Sequence, residues 1–136
     1  PLRMRAHCDN AAKVAEYLNN HKEVTRVIYP SLQDVKNKRR ADMYLSGGYS
    51  GLLGFELKGG KKAGCTFIEA LKMFYHVANI GDTRSLAIHP ASTTHSQLTS
   101  EEKEASGVTD GYIRLSVGIE HIDDILADLS NALDNV

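Results

Sequence analysis

Apolar positions along this 136-residue chain repeat first with the period of a helix, then with that of a strand, and the two patterns alternate to the end. Between Leu2 and Asn20, the residues Met4, Cys8, Ala11, Ala15 and Leu18 fall at steps of four and three. That spacing puts them on one helical stripe, with Arg5, Lys13 and Glu16 on the wet side. Asn19 and Asn20 tolerate left-handed backbone and are expected to end the helix there. Val24 to Tyr29 is β-branched and stops at Pro30, which predicts a short strand. From Ser31 to Leu45 the chain is polar, and its weak period through Leu32, Val35 and Met43 predicts a short or irregular helix. Leu52 to Lys58 then alternates, placing Leu53, Phe55 and Leu57 on one face of a half-buried strand.

Lys61 to Phe74 returns to helical spacing through Ala63, Phe67, Ile68, Leu71 and Phe74, and a short apolar step follows from Tyr75 to Ala78. Ala78 to Gln97 is irregular and rich in small hydroxyl residues between apolar runs, the pattern of a site-forming loop on a rigid scaffold. Thr99 with Glu102 fits a capping box and Gly107 supplies a stop, so Ser100 to Ser106 should be a short helix. Tyr112 to Ile119 alternates, with Ile113, Leu115 and Val117 on one face and Tyr112, Arg114 and Ser116 on the other. Ile122, Ile125, Leu126, Leu129 and Leu133 mark a closing amphipathic helix, with Glu120, Asp123 and Asp124 near its positive end. Helices this numerous beside three or four short strands predict an α+β fold. The expected form is a two-layer sandwich whose small, mostly antiparallel sheet carries its helices on one face.

Composition narrows the classes. A chain of this length suits one domain with one core, and 42% hydrophobic with 24% charged residues is ordinary for a folded protein. With 16 Lys+Arg against 17 Asp+Glu there is no broad positive field to gather nucleic acid or anionic lipid. The basic run Lys36, Lys38, Arg39 and Arg40 reads as a solvated helix face. Cys8 and Cys65 lie far apart and outside any CxxC spacing, which fits a reducing cytoplasm better than a disulfide framework or a zinc site. No apolar run is long enough to cross a membrane. The opening PLRMRAH has no initiator Met or signal-peptide pattern and enters a helix at once, as expected of a cut inside a longer chain.

Candidate chemistry is sparse in the residues alone. The run GGYSG precedes a strand, whereas phosphate-cradling glycines follow a strand and open a helix, so it reads as a turn. His89 and His95 have no Cys or carboxylate at ligand spacing, and no metal site is expected. Ser85, Ser92, Thr93, Thr94 and Ser96 lack a base oriented by a third group, and such hydroxyls commonly bond backbone. Arg114 stands out as a guanidinium in mid-strand, facing away from the core. There it is either a salt-bridged surface residue or a fork presented to a carboxylate.

The segments IGDTRSLAIHPASTTHSQLT and GVTDGYIRLSVGIEHIDDILADL, in that order, closely resemble the C-terminal region of the Cys/Met-metabolism family of PLP-dependent enzymes. A weaker likeness runs over nearly the whole chain. The resemblance implies the C-terminal small domain of a fold-type I PLP enzyme, over residues 1–136. In the family, an arginine in the RLSVG strand grips the α-carboxylate of the amino-acid substrate, and Arg114 matches it. Asn79 and Ile80 stand where many relatives carry Ser-Leu beside that arginine, and this departure is similar to the sulfhydrylase branch. Asp82, Thr83 and Arg84 replace residues that help to select the distal end of the substrate. His89 to Ser92 with Thr94 and His95 match the family's HPAS-x-TH loop, expected to shape the pocket rim.

For a full-length enzyme the resemblance implies γ-replacement of acetate on O-acetylhomoserine by sulfide or methanethiol. It also implies a small-molecule substrate and a homo-oligomer, a tetramer in the family. PLP would be held by a large domain that nothing in residues 1–136 resembles. Lys58, Lys61, Lys62 and Lys72 lie outside the context of the family's Schiff-base lysine, so no residue here is expected to bind cofactor and the piece alone should be inert. Methionine γ-lyase or cystathionine γ-synthase activity, or an independent amino-acid-binding regulatory module, are the competing readings.

Overall fold

The computed structural model describes residues Pro1 to Val136. Helix α1 (Leu2–Asn19) leads into strand β1 (Val24–Ile28), then α2 (Val35–Tyr44), β2 (Leu52–Leu57) and α3 (Gly60–Ala70). Strands β3 (Tyr75–His76) and β4 (Leu86–Ile88) follow, then α4 (Ser100–Ala105), β5 (Tyr112–Ser116) and α5 (Ile122–Leu133). The sheet runs β1-β2-β5-β4-β3, antiparallel except for the parallel β3–β4 edge. Helices α1, α3 and α5 pack on one face and on each other, which is the two-layer α+β sandwich expected from the element pattern.

Alternation along β2 and β5 decides which face is covered. Leu53, Phe55 and Leu57 from β2 and Ile113, Leu115 and Val117 from β5 and the residue after it are buried against the helices. Phe55 and Phe67 meet edge to face at a centroid distance of 5.4 Å, joining the sheet to α3. Full burial of side chains this size contributes about 1.5–3 kcal/mol each. Tyr112, Arg114 and Glu56 occupy the opposite face and keep partial access to solvent.

Several local expectations are corrected. In α1 the buried stripe is His7, Cys8, Ala11, Val14, Ala15 and Leu18, while Met4 in the first turn is 54% exposed. The helix ends at Asn19 and Asn20 as expected but without left-handed backbone: Asn20 stays at φ −97, its N–H donates to the Tyr17 carbonyl at 3.2 Å, and the His21 N–H donates to that of Leu18 at 3.1 Å. Helix α2 is regular and N-capped by Asp34, yet none of its residues is buried, and Leu32, Val35 and Met43 face solvent. Helix α3 stops at Ala70 because the Asp128 carboxylate accepts the N–H groups of Lys72, Met73 and Phe74, which a continuing helix would send to its own carbonyls. Phe74 still reaches the core from the turn beyond. A fifth strand, β4, lies inside the stretch read as loop. Its Leu86, Ala87 and Ile88 are all buried, so it shows no alternation. No helix is long and apolar enough to cross a membrane.

Candidate functional site

Arg114 sits at the middle of β5 on the face that carries no helix, opposite Gly54 of β2 and Ile88 of β4. A side chain at Gly54 would collide with the hydroxyl and ring of Tyr112, so the missing Cβ is what lets the Tyr112 ring lie across β2 beside Arg114. Burial pushes the Tyr112 phenol up, against the pull of the Arg114 and Arg26 charges, so it is a neutral hydroxyl at ordinary pH. The Arg114 guanidinium donates from Nη2 to the carbonyl of Ala78 at 2.6 Å and more weakly to that of Asn79 at 3.4 Å. Its Nε is buried with no hydrogen-bond partner. A guanidinium has five N–H donors, so one nitrogen is spent on fixing the group while donors remain for a ligand.

The segment that fixes Arg114 is itself tied down at several points. Gly81 takes φ +75, a left-handed turn open to glycine at no steric cost. Its N–H donates to Ser116 Oγ at 3.0 Å and its carbonyl accepts from Arg3 Nη2 at 2.7 Å. Asp82 Oδ1 accepts from the backbone N–H of Arg84 at 3.0 Å and from Thr83 Oγ1 at 3.3 Å. Those donors, the Arg84 N–H foremost, hold the Asp82 carboxyl below its usual range and therefore ionised. The Thr83 carbonyl accepts from Ile119 N–H at 2.8 Å, and Glu120 receives both the N–H and the hydroxyl of Ser85 at 2.7 and 2.9 Å.

These elements enclose an open cleft of roughly 740 Å³ lined by Arg3, residues 78–83 and Arg114. The fold therefore brings Arg114, Asn79, Ile80, Asp82 and Thr83 to one site although more than thirty positions separate the strand from the loop. Arg84 is not part of this lining. Its guanidinium stacks over the Tyr75 ring at 4.8 Å, at the edge of the sheet. Arg3 is the lining residue that sequence reading missed. The available signal was a cation in the first turn of a helix, where the positive end of the dipole disfavours it unless something outside the helix engages it.

The HPAS segment does not shape the rim of this cleft as expected. His89 is fully buried beside α3, so close to Gly64 that a Cβ there would collide with its ring. Its Nε2 donates to the Asp110 carbonyl at 2.8 Å, and Nδ1 accepts from Ser92 Oγ at 2.8 Å. Burial lowers its pKa, so the ring is neutral and serves as a brace between the β4 end and the loop before β5. The physical reason is placement: β4 enters the sheet, and the residues that follow it are carried under the helix layer.

Cofactor attachment in PLP chemistry needs a lysine amine, and none of the cleft-lining residues is a lysine. The residues present do not fit PLP on their own. No cluster of three or more His, Cys, Asp or Glu side chains converges in a metal-binding arrangement.

A family model for Cys/Met metabolism PLP-dependent enzymes matches residues 1–134, and the chain belongs to that family. It is 53% identical over its whole length to an O-acetyl-L-homoserine sulfhydrylase of Leptospira meyeri, covering 31% of that protein. Over 99% of the chain it is 45% identical to an L-methionine gamma-lyase of Fusobacterium nucleatum, covering 34% of it. A crystal structure from Campylobacter jejuni, described as a candidate O-acetylhomoserine (thiol)-lyase carrying N'-pyridoxyl-lysine-5'-monophosphate, superimposes with a TM-score of 0.90 at 42% identity. That match covers 98% of this chain and 32% of the other. The chain thus spans about a third of the length of the relatives it matches.

Proposed function

We propose that residues 1–136 are the C-terminal, substrate-carboxylate domain of a longer, cytoplasmic O-acetylhomoserine sulfhydrylase that works as a homo-oligomer. The observation that carries this reading is Arg114, a guanidinium held by backbone carbonyls on the open sheet face with donors left toward a cleft of substrate size. The identity of 53% to a protein of that name supports the choice of branch. In the complete enzyme the reaction is γ-replacement of acetate on O-acetylhomoserine by sulfide or methanethiol, giving homocysteine or methionine. PLP, held by a domain outside these residues, supplies the electron sink.

This chain's own contribution is to bind and orient. Arg114 takes the α-carboxylate, and Asn79 and Ile80 wall the cleft beside it, which fixes how the substrate's Cα presents its bonds. Positioning of this kind is worth a large share of a barrier and is lost steeply with small displacements. Asp82 adds a fixed negative charge at the cleft, so a substrate with a neutral distal acyl group is favoured over one with a second carboxylate. Thr83 lines the same end, while Arg84 is engaged on Tyr75 and acts on the substrate only through the loop.

A second reading within the family, methionine γ-lyase, is favoured by the 45% identity to such an enzyme. One assay separates them. The full-length enzyme with O-acetylhomoserine and sulfide should form homocysteine, and methionine without an acceptor should be left intact. Breakdown of methionine with no homocysteine formed would replace the sulfhydrylase reading by the lyase. Residues 1–136 alone, with PLP added, should turn over neither substrate.

A further inference from the structure

Side chains on one stripe of α1 are spent on the backbone around the cleft. Arg3, His7 and Asn10 lie at steps of four and three. They reach Gly81 O at 2.7 Å, Val117 O at 2.6 Å, and the carbonyls of Gly118 and Glu120 at 3.1 and 3.0 Å. We propose that this stripe, with Arg3 as its outermost member, is a positioning device for the carboxylate site. The proposal rests on the reading of Arg114 as the carboxylate-binding group.

Gly81 is where the device acts. Both of its backbone groups are held by side chains, the N–H by Ser116 of β5 and the carbonyl by Arg3 of α1, at a left-handed turn with nothing within 4 Å of where a Cβ would point. Two and three residues earlier stand the Asn79 and Ala78 carbonyls that hold Arg114 Nη2. A shift of Gly81 is therefore passed along two peptide units to the guanidinium. His7, buried with its ring tied to Val117 O, sets the depth of α1 against the end of β5 and so sets where Arg3 can reach.

Local stability gives Arg3 little reason to be there. It is exposed, lies at the positive end of α1, and makes its hydrogen bond to a neutral carbonyl that water could serve instead. What water could not do is hold that carbonyl in one place. Arg3 is a positioning residue on this account and need not touch substrate.

The test uses the full-length enzyme with bound PLP and compares Arg3→Ala, Arg3→Lys, Arg5→Ala and Arg114→Ala with wild type. Arg5 is an exposed cation on the same helix that does not line the cleft, so it controls for charge and helix content. Arg3→Ala should raise KM for the amino-acid substrate about tenfold, the lower end for losing a hydrogen bond from a charged group, with kcat changed much less. Arg3→Lys keeps one cationic donor for Gly81 O and should recover most of that loss. The proposal is overturned if Arg3→Ala matches Arg5→Ala while Arg114→Ala is impaired. It is equally overturned if Arg3→Ala lowers Tm and kcat with KM unchanged, which is the signature of a structural stitch. If Arg114→Ala is itself silent, the carboxylate reading fails first and the inference falls with it.

Discussion

Arg114 of β5 donates from Nη2 to the carbonyl of Ala78 at 2.6 Å, so the cation on the open sheet face is held by the backbone of a loop two strands away. A fixed guanidinium loses little freedom when it takes a carboxylate, which is why the loop matters as much as the arginine.

Gly81 should tolerate no ordinary side chain without strain. At φ +75 the surroundings are open, so Gly81→Ala tests backbone conformation alone. The left-handed penalty for an L-residue is roughly 1–2 kcal/mol. Urea unfolding should show a loss of about that size or less if the loop relaxes, and KM for the amino acid should rise in the full-length enzyme. Gly81→Asn should be milder, because Asn visits this region more readily.

Gly64 is a packing requirement. A Cβ there would collide with the buried His89 ring, which is tied at both nitrogens and cannot swing away. Gly64→Ala is expected to destabilise by about 1–3 kcal/mol through overpacking, read as a lower denaturation midpoint. A neutral outcome would mean that the His89 brace is loose.

Asp128 of α5 is buried and accepts three consecutive backbone N–H groups beyond α3. Asp128→Ala leaves those donors without a charged acceptor and should destabilise by roughly 1–3 kcal/mol. Hydrogen exchange should speed up at Lys72, Met73 and Phe74 in particular, since these are the amides released.

The buried His89 gives the domain a pH dependence of known sign. Burial holds its folded pKa below the ordinary 6.5, so the unfolded chain takes up its proton at higher pH than the folded one. Its stabilising contribution is complete above the unfolded value and is lost as pH falls from there toward the depressed folded value. Urea midpoints should fall between about pH 7.5 and pH 5.5, a window above the carboxylate titrations. His89→Gln should start lower and show a flatter slope across that window.

Much of the fold was legible because alternation and helical period mark residues that face one layer. Leu53, Phe55 and Leu57, and Ile113, Leu115 and Val117, all lie on the predicted core faces. The same logic isolated Arg114 on the opposite face. Strand β4 was hidden because Leu86, Ala87 and Ile88 are buried on both sides, and three residues with no period cannot be told from loop. The end of α3 was misplaced because its stop signal is Asp128, more than fifty positions later, and Phe74 keeps an apolar pattern past the true boundary. The role of His89 was misassigned because a histidine beside hydroxyls in a polar run looks alike whether it lines a cleft or braces a core. Arg3 escaped notice because its partner is a backbone carbonyl 78 positions away, which has no side-chain signature.

On the proposed function, Arg114 grips the substrate carboxylate of an O-acetylhomoserine sulfhydrylase. The most direct measurement is kcat/KM for O-acetylhomoserine in the full-length enzyme and its Arg114→Ala variant, with PLP absorbance matched between them. Truncating one member of a hydrogen-bonded charge pair costs about 2–5 kcal/mol, so kcat/KM should fall by roughly thirtyfold or more. Unchanged kinetics with cofactor still bound would remove Arg114 from the site and contradict the account.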